Sequence, residues 1–311
     1  MNIKDLKTGD VLLFSPEKGS FISWAITFLS DANVSHAAMF YNKEDETIIE
    51  ETPPQVAVNE AAERFTGRKI HVRRLKEITD LDKVISASTT FLNEKEPYDN
   101  TGLYFVGALL IYKKFTPDTI KQRIIVKILQ KVTASIVNYI NKHKHPGELP
   151  MVCSQFVAQC YEDAGAQYKL QITNARMRIM NSQNESVSLL DQAITSQSNL
   201  DKESSWSELL KSNVRLNEIQ ETDEELCEEL KDAFTMTNIV EDSSTTLSQE
   251  LIDAVSDFGH AHHLLNANNE LRTNKQTTSF GILKDMENMF VTPGDLLNHC
   301  SNLQDIGEIE G

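Results

Sequence analysis

The sequence predicts an α+β fold: an antiparallel sheet built from the first 75 residues, helices that follow it, and a helical insertion before the chain returns to its core. Three observations carry this. Short alternating or β-branched runs separated by turn residues fill positions 1–75. Apolar residues at helical spacing recur in later segments. The composition becomes polar and acidic between 167 and 287, where ten basic residues face 21 acidic ones.

The elements follow in order. Asp10 to Phe14, Ser35 to Tyr41, Thr47 to Glu51, Gln55 to Val58 and Lys69 to Leu75 read as strands of a meander, with Pro53 and Pro54 ending the third because proline donates no ladder hydrogen bond. Phe21 to Leu29 suits a buried helix between the first two strands, and Leu81 to Asn93 a second helix. Residues 113–144 hold eight Lys or Arg against Asp118 alone. Ile120, Ile124, Ile128, Val132, Ile136 and Ile140 recur there at helical spacing, which makes a basic amphipathic helix. Past Pro150, Val152, Phe156, Val157 and Cys160 fit one face of a helix ending near Gly165. In 167–287, Leu209, Leu210, Val214, Leu216 and Ile219 keep helical spacing and Glu218 to Asp232 is an acidic run, while Asn181 to Glu185 and Asp242 to Thr246 read as flexible. Thr292-Pro293-Gly294-Asp295 is a turn and helix-start signal.

With 311 residues, 40% of them apolar, the chain can bury a substantial core, which excludes wholesale disorder. The net charge of −16 opposes binding to nucleic acid. Of that charge −11 lies in 167–287, so an acidic total hides a local excess of seven positive charges at 113–144. The scattered cysteines (153, 160, 227, 300) form neither a disulfide framework nor a zinc pattern, which suggests a reducing compartment. The N-terminus resembles no signal peptide, and the apolar runs Phe21–Leu29 and Tyr104–Tyr112 fall far short of a bilayer span of roughly 20 residues. The expectation is a cytoplasmic protein.

Cys153 stands at the expected first turn of an apolar-faced helix, where the helix N-terminus favours a thiolate. A thiol nucleophile needs a base and a group to orient that base. His36, on the second strand, is the candidate base. Glu50 or Glu51, on the neighbouring strand, can orient it, and a one-residue change of register exchanges the two. Gly259-His260-Ala261-His262-His263 lacks a partner at diagnostic metal spacing and reads as a helix end, as do His143 and His145 in a lysine-rich tail. Cys160 reads as packed, and Cys227 and His299-Cys300 have no evident partner.

The stretches Gly9-Asp10-Val11-Leu12-Leu13-Phe14, Ser35-His36-Ala37-Ala38-Met39-Phe40, Ile48-Ile49-Glu50-Glu51-Thr52-Pro53, Pro97-Tyr98-Asp99 and Val152-Cys153-Ser154-Gln155-Phe156-Val157 occur in one order. Together they resemble the circularly permuted, NlpC-type papain-like hydrolases, the YiiX/YaeF-like amidase family, in which His precedes Cys. Thr292-Pro293-Gly294-Asp295-Leu296 is similar to a motif near that family's C-terminus. The resemblance implies a permuted papain-like fold with Cys153 as nucleophile, His36 as base and Glu50 as orienting residue. Gln155 stands where the family often has Glu.

It also implies a catalytic domain of 1–166 with 288–311, an enlarged basic segment at 113–148 within it, and an acidic insertion at 167–287. The expected chemistry is cleavage of an amide or ester through an acyl-enzyme, with no cofactor and no metal, the Cys153 backbone amide and a side chain such as Tyr98 stabilising the oxyanion. The basic helix suggests peripheral membrane contact through 113–144 and an acyl-lipid substrate, against a peptide or isopeptide amide. The acidic insertion suggests a protein partner at 167–287. The alternative is a catalytically idle scaffold that binds a partner through that insertion. The missing signal peptide is also compatible with a bacterial effector delivered to a host cytosol by a non-Sec route.

Overall fold

The computed structural model describes residues 1–53, 55–94, 101–113, 115, 117–142, 152–173, 188–196, 220–236, 246–266, 279–286 and 290–311. The expected helix through Leu209–Ile219, the flexible stretches 181–185 and 242–245, Pro97-Tyr98-Asp99, and His143 and His145 lie outside these residues.

The chain forms two compact units, one of residues 1–101, 150–182 and 290–311, the other of 102–149 and 183–289. The first is α+β. Strands β1 (Val11–Phe14), β2 (His36–Asn42), β3 (Thr47–Thr52), β4 (Gln55–Glu60), β5 (Lys69–Leu75) and β6 (Leu303–Glu310) form one sheet in the order β4-β3-β2-β1-β5-β6. Every neighbouring pair is antiparallel. Helices α1 (Phe21–Ser30), α2 (Ala61–Phe65) and α3 (Asp82–Glu94) lie between its strands in sequence, and α6 (Cys153–Asp163) follows the first excursion into the other unit.

Alternation along the strands divides the core into two faces. Val11, Leu13, Ala37, Met39 and Ile49 pack with Cys153, Phe156, Val157 and Cys160 of α6. Leu12, Phe14, Ala38, Phe40 and Ile48 pack with Ala61 and Phe65 of α2. The Gly9-Asp10 motif is the joint that holds α6 to the sheet. Gly9 has φ +85°, and a Cβ there would stand 2.4 Å from Leu81, so both backbone and space require glycine. Its carbonyl accepts from Tyr161 of α6 at 2.6 Å. Asp10 is buried and accepts from the Lys7 amide and two nitrogens of Arg74. The C-terminal Thr-Pro-Gly-Asp motif starts a short helix, Pro293–Asn298, with a capping box between Thr292 and Asp295, and Ser154 of α6 donates to the Val291 carbonyl just before it.

The second unit is helical: α4 (Thr101–Tyr112), α5 (Thr119–Lys142), α7 (Leu189–Ser196), α8 (Asp223–Thr235), α9 (Gln249–Asn266) and α10 (Ser279–Met286). Most of the basic segment groups with the acidic one in this unit. The reason is packing and charge: α5 buries Ile124, Ile128, Val132 and Ile136 and lies along α9. Its lysines meet α8 and the residues just before it, Lys127 pairing with Glu221 (2.9 Å) and Glu229 (3.2 Å), and Lys131 with Asp223 (2.9 Å). No described helix is long and apolar enough to cross a membrane.

Candidate active site

Three side chains singled out in the sequence come together in the sheet unit. Cys153 is the first residue of α6 and is 8% exposed. Val152 precedes it in extended conformation, and no described side chain caps the helix. The amides of the first turn therefore have no intrahelical acceptor and point out of the helix end beside the sulfur.

His36 is the first residue of β2, opposite Phe14 of β1, and the two rings lie 5.4 Å apart. At this strand end the imidazole hydrogen-bonds Glu50 and lies within electrostatic reach of the Cys153 sulfur. The Glu50 contact is made by Nε2, 2.5 Å from Oε2, which leaves Nδ1 for the sulfur.

The register separates the two glutamates. Phe40 pairs with Ile48 and Met39 with Ile49, so Glu50 shares the face of Phe40 and His36 while Glu51 shares that of Met39. Glu50 is fully buried and engaged by three residues. Besides His36, Asn59 donates to Oε1 at 2.8 Å. Arg64 donates from Nη2 to Oε2 at 3.0 Å, with Nε 2.6 Å from Oε1. Glu51 is buried on the other face of β3, and among the described residues its Oε2 has no hydrogen-bond partner.

The electrostatics follow from these contacts. Burial opposes charge on His36, but the neighbouring Cys153 sulfur, together with the hydrogen bond and charge of Glu50, outweighs it and lifts the imidazole to about 9. Burial also opposes charge on Glu50, yet His36 and Arg64 bring its carboxyl down to about 2. In Glu51 burial, with the nearby charge of Glu50, outweighs the opposing charge of His36 and pushes the carboxyl up to about 7. Burial pushes up the other three thiols as well, Cys227 to about 12. His36 and Glu50 thus form a charged pair across much of the pH range.

Asn59 and Arg64 escaped the sequence reading. Asn59 had a signal: in a β3–β4 hairpin joined by Pro53-Pro54, Thr52 pairs with Gln55, so Ile48 pairs with Asn59, diagonal to Glu50 on one face. Arg64 lies on the five-residue α2 and had none. Tyr98, the suggested oxyanion side chain, lies outside the described residues. The His260–His263 run lies in α9, with His262 buried and stacked on Tyr104; burial drops that imidazole to about 3. The described residues contain no group of three His, Cys, Asp or Glu that could hold a metal ion. No family model matches the chain. No curated protein matches it either.

Proposed function

We propose that the chain is a cysteine-dependent hydrolase or acyltransferase of amides or esters, with the permuted papain-like fold of the NlpC-type family it resembles. The observation that supports this most strongly is the hydrogen-bonded set of Arg64, Asn59, Glu50 and His36, with the Cys153 sulfur in electrostatic reach of that imidazole at an uncapped helix start. A thiolate, a base and an orienting group in hydrogen-bonded sequence is the arrangement nucleophilic acyl transfer requires.

In the proposed cycle the Cys153 sulfur attacks the carbonyl carbon and forms a C–S bond while the carbonyl π electrons move to oxygen. That oxyanion sits against the Cys153 amide at the start of α6. Collapse restores the carbonyl and expels the amine or alcohol, which takes the proton from Nδ1 of His36. Water, or another acceptor, gives a proton back to His36 and attacks the thioester, releasing the acid or transferred acyl product and regenerating the thiolate and imidazolium. Glu50 stays ionised throughout and fixes the ring with Nδ1 toward sulfur. Neither a cofactor nor a metal enters this cycle.

The acyl-lipid version rested on the positive charge of 113–144. Lys127 and Lys131 spend theirs on Glu221, Glu229 and Asp223, and Lys121 is buried and pairs with Asp118, so three of the five basic residues of α5 are already engaged within the chain, which weakens the case for a membrane contact. A soluble amide or ester is the better-supported substrate.

Iodoacetamide labelling followed by peptide mass spectrometry tests the reading. Cys153 should react at least about 100-fold faster than Cys227, and His36→Ala should remove most of that advantage, in line with the 10²–10⁴-fold typical of general acid–base groups. Equal labelling of the two cysteines in the wild type would defeat the enzyme reading and favour the idle scaffold.

A further inference from the structure

One cation beside the site takes no part in orienting Glu50. Arg68, which precedes β5, donates from Nε to the Ser15 carbonyl at 2.9 Å and from Nη2 to the same oxygen, with a longer contact from Nη2 to the Ser35 hydroxyl at 3.4 Å. Its guanidinium lies 5.0 Å from the centre of the Phe14 ring, the ring that also contacts His36. Ser15 follows β1 and Ser35 immediately precedes His36, so Arg68 is fixed at the end of the sheet where the reactive pair sits.

Among the described residues no carboxylate lies within ion-pair distance of Arg68, and Nη1 has no hydrogen-bond partner. Burial works against the guanidinium charge, the exposed Glu17 is the largest acidic influence on it, and Arg64, Glu50 and the Cys153 sulfur are also within electrostatic reach. A half-buried arginine that is rigidly held, stacked on an aromatic ring and left without a counter-ion is a ready receptor for an anion.

Building on the function proposed above, we infer that Arg68 is a specificity-determining residue that binds a carboxylate on the acyl group of the substrate, close to the carbonyl attacked by Cys153. Nε and Nη2 are committed to the protein, and the remaining Nη1 suits the edge of a carboxylate. The preferred substrate class is therefore an acidic acyl amide or ester, such as a dicarboxylic or acidic amino-acid acyl group.

The test needs no substrate. Iodoacetate and iodoacetamide alkylate the same thiolate and differ in carrying a carboxylate or a neutral amide one carbon from the reacting centre. The ratio of their rates at Cys153, normalised to that at glutathione under the same conditions, reads the local preference for a carboxylate. It should exceed 1 in the wild type and fall about tenfold in Arg68→Gln, as loss of one unit charge from a partly desolvated site implies. Arg68→Lys should keep most of it. A ratio in Arg68→Gln equal to that of the wild type overturns the inference, and so does an equal loss in the Lys and Gln variants.

The wild type alone supplies a further check. Above pH 9 the imidazolium charge of His36 is lost and the guanidinium charge remains, so the preference should persist at pH 10. Its disappearance there would assign it to His36 and overturn the role of Arg68. If Cys153 reacts no faster than Cys227 with iodoacetamide, the enzyme reading itself has failed, and that result is separate from any change in the ratio.

Discussion

The sheet unit and the helical unit both join opposite charges, but they place them in different surroundings. Around Glu50 the charges are buried and converge: His36, Asn59 and Arg64 all address one carboxylate with no exposure of its own. Between α5 and α8 they are spread over a surface, with Lys127 and its partners Glu221 and Glu229 each retaining 34–43% exposure. Burying an ion pair carries a desolvation cost that hydrophobic packing does not, whereas an exposed pair costs and contributes little. The sheet unit bears that cost at the place where a sulfur must be held beside an oriented imidazole. The helical unit uses charge for complementarity between two of its segments.

Replacing Glu50 should therefore produce the largest effect. Glu50→Gln keeps the shape but leaves Arg64 and His36 without their anion. Breaking a buried pair in this way costs about 3–5 kcal/mol. The sign can be followed with pH. His36 is raised from its ordinary 6.5 to about 9, so its share of the stability is complete below 6.5 and is lost as pH rises through 9; Glu50 is lowered from 4.5 to about 2, so its share is complete above 4.5 and lost as pH falls through 2. The gap between wild type and variant, measured by urea denaturation, should be widest between pH 4.5 and 6.5 and narrow toward pH 10. NMR titration of His36 should show its pKa below that of the wild type. An unchanged His36 pKa would mean that Glu50 does not hold the imidazole in its charged form.

What the sequence revealed of this contrast follows physical lines. The strands bearing His36 and Glu50 are short apolar or β-branched runs bounded by turn residues, and Cys153 begins an amphipathic helix, so all three could be placed before any coordinates. The choice between Glu50 and Glu51 could not, because it depends on the β2–β3 register, which shifts between Phe40 and Asn42. Helix α4 was invisible as a helix. Leu103 to Ile111 is apolar apart from Tyr104 and Gly107 and almost wholly buried, and a helix apolar on every side has no amphipathic period to detect. Strand β6 was missed for the opposite reason. It is an edge strand interrupted by Gly307 in which Leu303, Ile306 and Ile309 recur every third residue instead of alternating, and Lys69–Glu308 and Arg73–Asp305 ion pairs to β5 add to its few apolar contacts. The pairing of α5 with α8 was written in the charges, as a basic run and an acidic run, but nothing local shows that two runs about 90 residues apart are each other's partners.

A buried contact without charge lies between the two extremes and sharpens the comparison. Ser154 is fully buried, and its hydroxyl donates to the Val291 carbonyl, fastening the C-terminal Thr-Pro-Gly-Asp turn to the helix that carries Cys153. Ser154→Ala leaves that carbonyl without this donor and should cost about 1–3 kcal/mol, the range for an unsatisfied buried group. Denaturation at two pH values checks it. Since neither partner titrates, the loss should be the same at pH 5.5 and pH 8.5, where the Glu50→Gln loss is not. A strongly pH-dependent loss would show that Ser154 is coupled to the charged cluster.

The smallest effect belongs to the helical unit. Lys127→Ala removes one lysine from two exposed carboxylates, and exposed pairs are typically worth under about 1 kcal/mol. The loss should shrink further between 50 mM and 500 mM NaCl, as the screening length falls from roughly 14 Å to 4 Å, whereas the Glu50→Gln loss, shielded from solvent ions, should change far less. Denaturation midpoints of both variants at the two salt concentrations make the comparison direct. If Lys127→Ala instead costs as much as Glu50→Gln and resists salt, the α5–α8 charges are structurally essential in the same sense as those around Glu50, and the distinction between a site charge and a surface charge fails.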